Sequence, residues 1–250
     1  MSEHVEIVTE GGVRSVRMTR GEKKNAITGA MYTAMAEALE TGNGDAAVRA
    51  ILFLGVPGAF SAGNDIADFL AMSSGGELGA PIIRFLKALA RSEKPMVAGV
   101  DGLAIGIGTT LLLHCDLVYA SPGSVFRTPF VDLGLVPENA SSLLAPRLMG
   151  HQRAFELLCL GAPFTADKAH GAGFVNEIVE AEDLEEKART MAATLAGKPV
   201  EAMAIARRLV KGAPDDVLAR IDEEAVAFRE RLASPEARAA FMAFLAKSGK

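Results

Sequence analysis

The chain has 250 residues, half of them hydrophobic, enough to bury a sizeable core in one large domain or a domain with an appendage. Its 26 Lys and Arg against 31 Asp and Glu give a formal net charge of -5, which excludes a general attraction for nucleic acid or an anionic membrane. Two cysteines, Cys115 and Cys159, are too few for a disulfide framework and read as apolar packing in a reducing compartment.

Met1-Ser2-Glu3-His4 is polar and acidic and lacks the shape of a signal peptide. The apolar stretch Leu103 to Leu113 is too short to span a bilayer. The last residues, Lys247-Ser248-Gly249-Lys250, do not match a Ser-Lys-Leu peroxisomal signal, so a cytoplasmic protein is expected.

In chain order, Val5 and Ile7, then Val13, Val16 and Met18, predict two short strands around a Gly11-Gly12 turn. Met31, Met35, Ala38 and Leu39 recur at helical spacing over 28–42, with Thr28 as N-cap. Residues 48–54 form an apolar run suited to a strand covered on both faces. A loop over 55–63 leads into a helix from Asp65 to Met72, then a Gly/Ser-rich stretch from Ser73 to Gly79 and a helix over 82–90. Residues 96–100 predict another buried strand, Gly102 to Gly108 a turn into an apolar helix ending near Cys115, and 116–120 a further strand. This alternation favours an α/β fold with crossover connections. After Gly150 the pattern is helical over 151–160, 165–172, 183–196, 198–211, 214–232 and 235–247. Apolar residues on more than one side of the late helices favour oligomerisation.

Two loops have the composition for chemistry. Phe60-Ser61-Ala62-Gly63-Asn64-Asp65 follows a strand and opens a helix, where N–H groups lack intrahelical partners and carry partial positive charge. Small residues there let a ligand approach the backbone, and such N–H groups stabilise an oxyanion. Read alone, the segment is an ordinary strand-to-helix turn with Asn64 or Asp65 as N-cap. The second loop, Asp101 to Thr110, has the same setting; its glycines only superficially suggest a dinucleotide fingerprint. Pairing with the first loop favours a second oxyanion donor.

The segments Phe60-Ser61-Ala62-Gly63-Asn64-Asp65-Ile66, Lys94 to Gly102 and Cys115 to Ala120 closely resemble the crotonase superfamily of enoyl-CoA hydratases and isomerases. The likeness runs from about residue 5 to 247 and includes Arg20 to Ala26 and Gly161 to Ala166. It implies an α/β crotonase-like spiral ββα core over 1–195 and a C-terminal helical trimerisation region over 196–250. A homotrimer or dimer of trimers is expected, with oxyanion donors at the N–H groups of Asn64 and Ile107. It also implies coenzyme A, as part of the substrate rather than a cofactor, near Lys24, Ala26, Ala62, Asn64 and Ile66. Phe244 and Lys247 resemble the positions that cover the nucleotide.

Hydratases of this superfamily carry two glutamates; the matching positions here are Thr110 and Phe130, neither a useful base near neutral pH. Leu133-Gly134-Leu135-Val136-Pro137-Glu138-Asn139 instead resembles the segment of peroxisomal-type Δ3,Δ2-enoyl-CoA isomerases that carries their single catalytic glutamate. That likeness implies Glu138 as the base, with Phe130 as a packing wall and Leu135 and Val136 excluding water. Without it, a Pro-Glu-Asn turn reads as a solvated loop, with Asn139, Ser141 and Ser142 as helix-start caps. Asn139 is a candidate to orient Glu138. An enoyl-CoA hydratase and a non-catalytic CoA-ester binding protein are the competing readings. His114-Cys115-Asp116 lacks metal-ligand spacing, so no metal is expected; His114 reads as structural and Asp116 as a strand brace. His151 and His170 read as helix-surface positions, and Asp68 as a solvated helix face, with a reach into the acyl pocket as its alternative.

Overall fold

The structure, a computed structural model, describes residues 2–73 and 79–248, without the side chains of 70–73, 244, 245, 247 and 248. The Gly/Ser-rich stretch after Ser73 falls largely outside the described residues.

The strands are β1 (Val5–Glu10), β2 (Val13–Met18), β3 (Ala50–Leu54), β4 (Ala59–Ser61), β5 (Met96–Val100), β6 (Leu103–Ile105), β7 (Leu117–Ala120), β8 (Val125–Arg127), β9 (Phe164–Thr165) and β10 (Glu177–Ile178). They form two sheets. One has the order β1-β2-β3-β5-β7-β10, parallel apart from the β1–β2 hairpin; the other is β4-β6-β8-β9, parallel apart from β8–β9. Each of β3, β5 and β7 is followed at once by a short strand of the second sheet, so the chain spirals through both. Every residue of β3 and β5 is buried, as their continuous apolar character requires of a sheet covered on both faces.

The helices are α1 (Gly29–Gly44), α2 (Ile66–Ser73), α3 (Ala80–Arg91), α4 (Ile107–Thr110), α5 (Ser141–Met149), α6 (His151–Leu158), α7 (Ala166–Gly171), α8 (Ala181–Ala196), α9 (Val200–Lys211), α10 (Asp215–Leu232) and α11 (Pro235–Ser248). Thr28 caps α1, its hydroxyl accepting from Met31 N at 3.3 Å. The alanine stripe of α8, Ala188, Ala192 and Ala196, packs on Leu52, Leu54 and Val97 of the first sheet. The main core lies on the other side and joins α1, α3 and the second sheet. In α10, Ile221, Glu224 and Phe228 form the buried stripe. By contrast α9 buries no residue, and Leu209 and Val210 are exposed.

Two expectations need correction. Gly102 to Gly108 is not a plain turn, and no continuous helix runs from it to Cys115. The stretch is β6, the single turn α4, then a 3-10 turn over Leu111–His114. The second sheet, made of two- and three-residue strands, is absent from the sequence pattern because such strands show no period.

Candidate active site

β4 and β6 run parallel, pairing Ala59 with Leu103 and Ser61 with Ala104. Their C-terminal ends therefore open on the same edge, and both lead into helix starts. Asn64 stands three residues past β4 and Ile107 two past β6. Among the described residues, neither N–H donates to a protein acceptor. The neighbouring donors are occupied: Ala62 N bonds Lys24 O at 2.8 Å, Asp65 N bonds Ile27 O at 3.0 Å and Gly106 N bonds Arg127 O at 2.8 Å.

Two glycines make this possible. Gly106 caps α4 at φ 56° and ψ -120°, a conformation that strains side-chain-bearing residues, just before the unpaired Ile107 N–H. A Cβ on Gly108 would lie 2.9 Å from the Ser61 backbone oxygen, so only glycine lets the loops touch.

Asn64 and Ile107 both line a pocket of about 110 Å³, with Ala62, Ile66, Pro129 and Phe130, closed by Phe69, Leu135, Phe228 and Phe241. The sequence-predicted residues Ala62, Asn64, Ile66, Ile107 and Phe130 are thus brought together. Lys24 and Ala26 lie alongside, because the 24–27 segment pairs with the first loop: Ile27 N bonds Gly63 O at 2.8 Å. Asn25, left-handed at φ 55°, anchors this segment by donating to Ala59 O and Phe60 O at 2.9 and 3.1 Å. Ala62 has only its carbonyl left for a ligand. Phe244 and Lys247 lie on α11, but their side chains are outside the described residues.

Glu138 is 4% exposed, not a solvated turn residue. It is not itself a lining residue of the pocket. It adjoins Thr110, and its charge reaches Tyr32, whose hydroxyl donates to Asn64 Oδ1 at 2.6 Å. Its Oε1 has no hydrogen-bond partner. Burial, reinforced by the Glu224 charge, pushes the Glu138 carboxyl up to about 8. The Thr110 hydroxyl opposes that rise as a nearby dipole, since its own oxygen is without a hydrogen-bond partner. A carboxyl in this setting holds its proton at neutral pH and is a strong base once ionised.

The sequence profile described as Enoyl-CoA hydratase/isomerase matches residues 8–249. The chain belongs to the enoyl-CoA hydratase/isomerase family. It is 35% identical to Enoyl-CoA delta isomerase 2 of Rattus norvegicus over 100% of its own length, spanning 65% of that relative. It is 32% identical to 1,2-epoxyphenylacetyl-CoA isomerase of Escherichia coli (strain K12), over 99% of this chain and 97% of that one. The solved enoyl-CoA hydratase/isomerase of Pseudoalteromonas atlantica T6c is 39% identical, with a TM-score of 0.92 over 98% of each chain.

The family acts on acyl-CoA thioesters, and the site of this member carries features the sequence did not disclose. Glu224, on α10, reaches the Glu138 segment from 86 residues away in the chain. Its Oε2 accepts from Ala140 N at 2.6 Å, and its Oε1 accepts from Ser142 N at 3.0 Å and from Ser142 Oγ at 2.5 Å. These bonds hold Asn139 and Ala140 left-handed, at φ 62° and 54°. A left-handed alanine costs roughly 1–2 kcal/mol, while hydrogen bonds to a charged group contribute about 1.5–3 kcal/mol each, so the turn is held against its strain. Glu224 therefore caps α5 in place of Asn139, Ser141 and Ser142. The available signal was a glutamate at a core position of the Ile221–Phe228 stripe.

His114 is structural, as expected, and its role is local. Its Nε2 donates to Asn139 O at 2.9 Å, tying down the residue after Glu138. Burial and the Lys211 charge lower its pKa to about 4, so the ring is neutral. Asn139 does not orient Glu138: both its amide atoms lack partners. Asp68 is half-buried and does not line the pocket; its carboxylate accepts from Gly29 N at 2.6 Å at the start of α1. Asp65 caps α2 through Asp68 N at 3.1 Å and pairs with Arg20 at 2.7 Å. Asp116 braces β5, accepting from Met96 N at 2.8 Å.

Proposed function

We propose that this enzyme is a Δ3,Δ2-enoyl-CoA isomerase in which Glu138 carries one proton from C2 to C4 of a 3-enoyl thioester. The supporting observation is a buried carboxyl, unpartnered at Oε1 and adjoining Thr110 at the end of the turn that Ile107 opens, with no second carboxylate at Thr110 or Phe130. Hydration uses two carboxyl groups to position and activate water; a double-bond shift needs one base that returns what it takes.

In this reading the thioester oxygen accepts from the Asn64 and Ile107 N–H groups. Ionised Glu138 removes a C2 proton, and the electron pair of that C–H bond moves into the conjugated dienolate. The negative charge grows on the oxygen the two amides hold. The carboxylic acid then gives the proton to C4 as the double bond settles between C2 and C3. Nothing is gained or lost overall. Phe130, Leu135 and the other apolar lining residues keep water from the dienolate.

The CoA part is assigned to Lys24, Ala26, the Ala62 carbonyl and Ile66, with Phe244 and Lys247 of α11 covering the nucleotide. A homotrimer or dimer of trimers is supported by the uncovered apolar face of α9. Paired incubations with 3-enoyl-CoA and 2-enoyl-CoA, analysed for products, test the assignment. Isomerisation without net hydration is expected. Net water addition to crotonyl-CoA, seen as loss of conjugated thioester absorbance, would make it a hydratase. Thioester binding without turnover would leave only a CoA-ester binding protein.

A further inference from the structure

Among the described residues two carboxylates are buried, Glu138 and Glu224 at 4% and 6% exposure. Their surroundings are opposite. Glu138 Oε1 has no donor. Glu224 meets only donors: Ala140 N–H, Ser142 N–H and the Ser142 hydroxyl. That hydroxyl donates to Glu224, and its oxygen accepts from Arg220 at 3.0 Å. Burial raises the Glu224 carboxyl, and these donors together with the Arg220 charge oppose that rise and favour the carboxylate. Other groups facing this pair are Tyr32 of α1, whose hydroxyl is turned to Asn64; Thr110 of α4; and neutral His114, bound to the Asn139 carbonyl.

We propose that Glu224 is a positioning residue for the Glu138 reaction: its carboxylate fixes the Asn139–Ser142 turn that aims Glu138 and places negative charge beside it. Two carboxyl groups in unlike surroundings thus divide the work, one held by donors and one left to gain and lose the proton. Glu224 sits one turn before Phe228, a pocket-lining residue on the same buried face of α10. The C-terminal helices therefore set both the wall of the acyl pocket and the state of the base. This rests on Glu138 being the base.

The test is Glu224→Gln, with kcat and KM followed from pH 5 to 10 and the Glu138 carboxyl titrated by infrared difference against Glu138→Gln. Losing the charge should lower the Glu138 midpoint by about one pH unit, a tenfold rise in its ionised fraction at pH 6. The plateau kcat should fall at least fivefold, with KM within twofold, because the thioester amides lie on other elements. An unchanged midpoint and plateau in folded protein overturn the proposal. If Glu224→Gln does not fold, Glu224→Asp keeps the charge and withdraws the clamp by one methylene; it should lower kcat at an unchanged midpoint, and wild-type kcat overturns the idea. The infrared titration separates the two claims: a Glu138 midpoint that moves while Glu138→Gln still turns over sinks the isomerase reading but not the Glu224 coupling.

Discussion

Replacing Glu138 by Gln should change not only turnover but the pH dependence of stability. The carboxyl titrates near 4.5 in the unfolded chain and at about 8 in the fold. A group raised on folding contributes stability that is full below its unfolded pKa and lost as pH rises through the folded one. At 1.36 kcal/mol per pH unit, the interval corresponds to a loss of about 5 kcal/mol between pH 4.5 and pH 8. That is a large share of the roughly 5–15 kcal/mol stability of a typical domain. Gln cannot ionise, so the variant should escape this loss. Urea unfolding at pH 5 and pH 9, at one protein concentration, reads the difference. The variant should gain on wild type by up to about 5 kcal/mol over that range, with little change in m. Parallel pH profiles would refute a buried, proton-holding Glu138.

The pH–rate profile follows from the same site: kcat/KM for a 3-enoyl-CoA should climb tenfold per unit below an apparent pKa of about 8, then level off. A flat profile from pH 6 to 9 would exclude Glu138 as the base. Gly106→Ala puts a side chain at φ 56° with no steric neighbour, so its roughly 1–3 kcal/mol of strain should twist the Ile107 N–H. A kcat loss of roughly tenfold or more, with folding retained, is expected; full kcat would argue against that amide as a donor. His114, depressed to about 4, contributes stability present above its unfolded pKa of 6.5 and lost as pH falls through 4. His114→Gln should therefore flatten the acid limb of the stability curve by up to about 3 kcal/mol. An unaltered acid limb in urea titrations would contradict the buried neutral ring.

The sequence by itself determined the long elements and the two loops. The apolar runs of β3 and β5 and the helical periods of α1, α3 and α6 to α11 arise from local spacing, which is legible without contacts. The loop chemistry was legible as well, because glycine and small residues after a strand leave helix-start N–H groups unpaired. Neither loop alone distinguished an oxyanion donor from an ordinary turn. The parallel pairing of β4 with β6 decided that both amides open on one edge, and those strands are too short to show a pattern. Glu138 shows the same division. Its Pro-Glu-Asn setting reads as solvent, and only packing against Thr110, with His114 and Glu224 securing the turn, makes it a buried carboxyl. Glu224 is furthest from view: a charged residue in a long helix looks solvated until the fold brings α10 across α5. Sequence fixes what a segment can do with its neighbours in the chain; proton affinity depends on solvent exclusion and distant charge, which exist only once the chain has closed on itself.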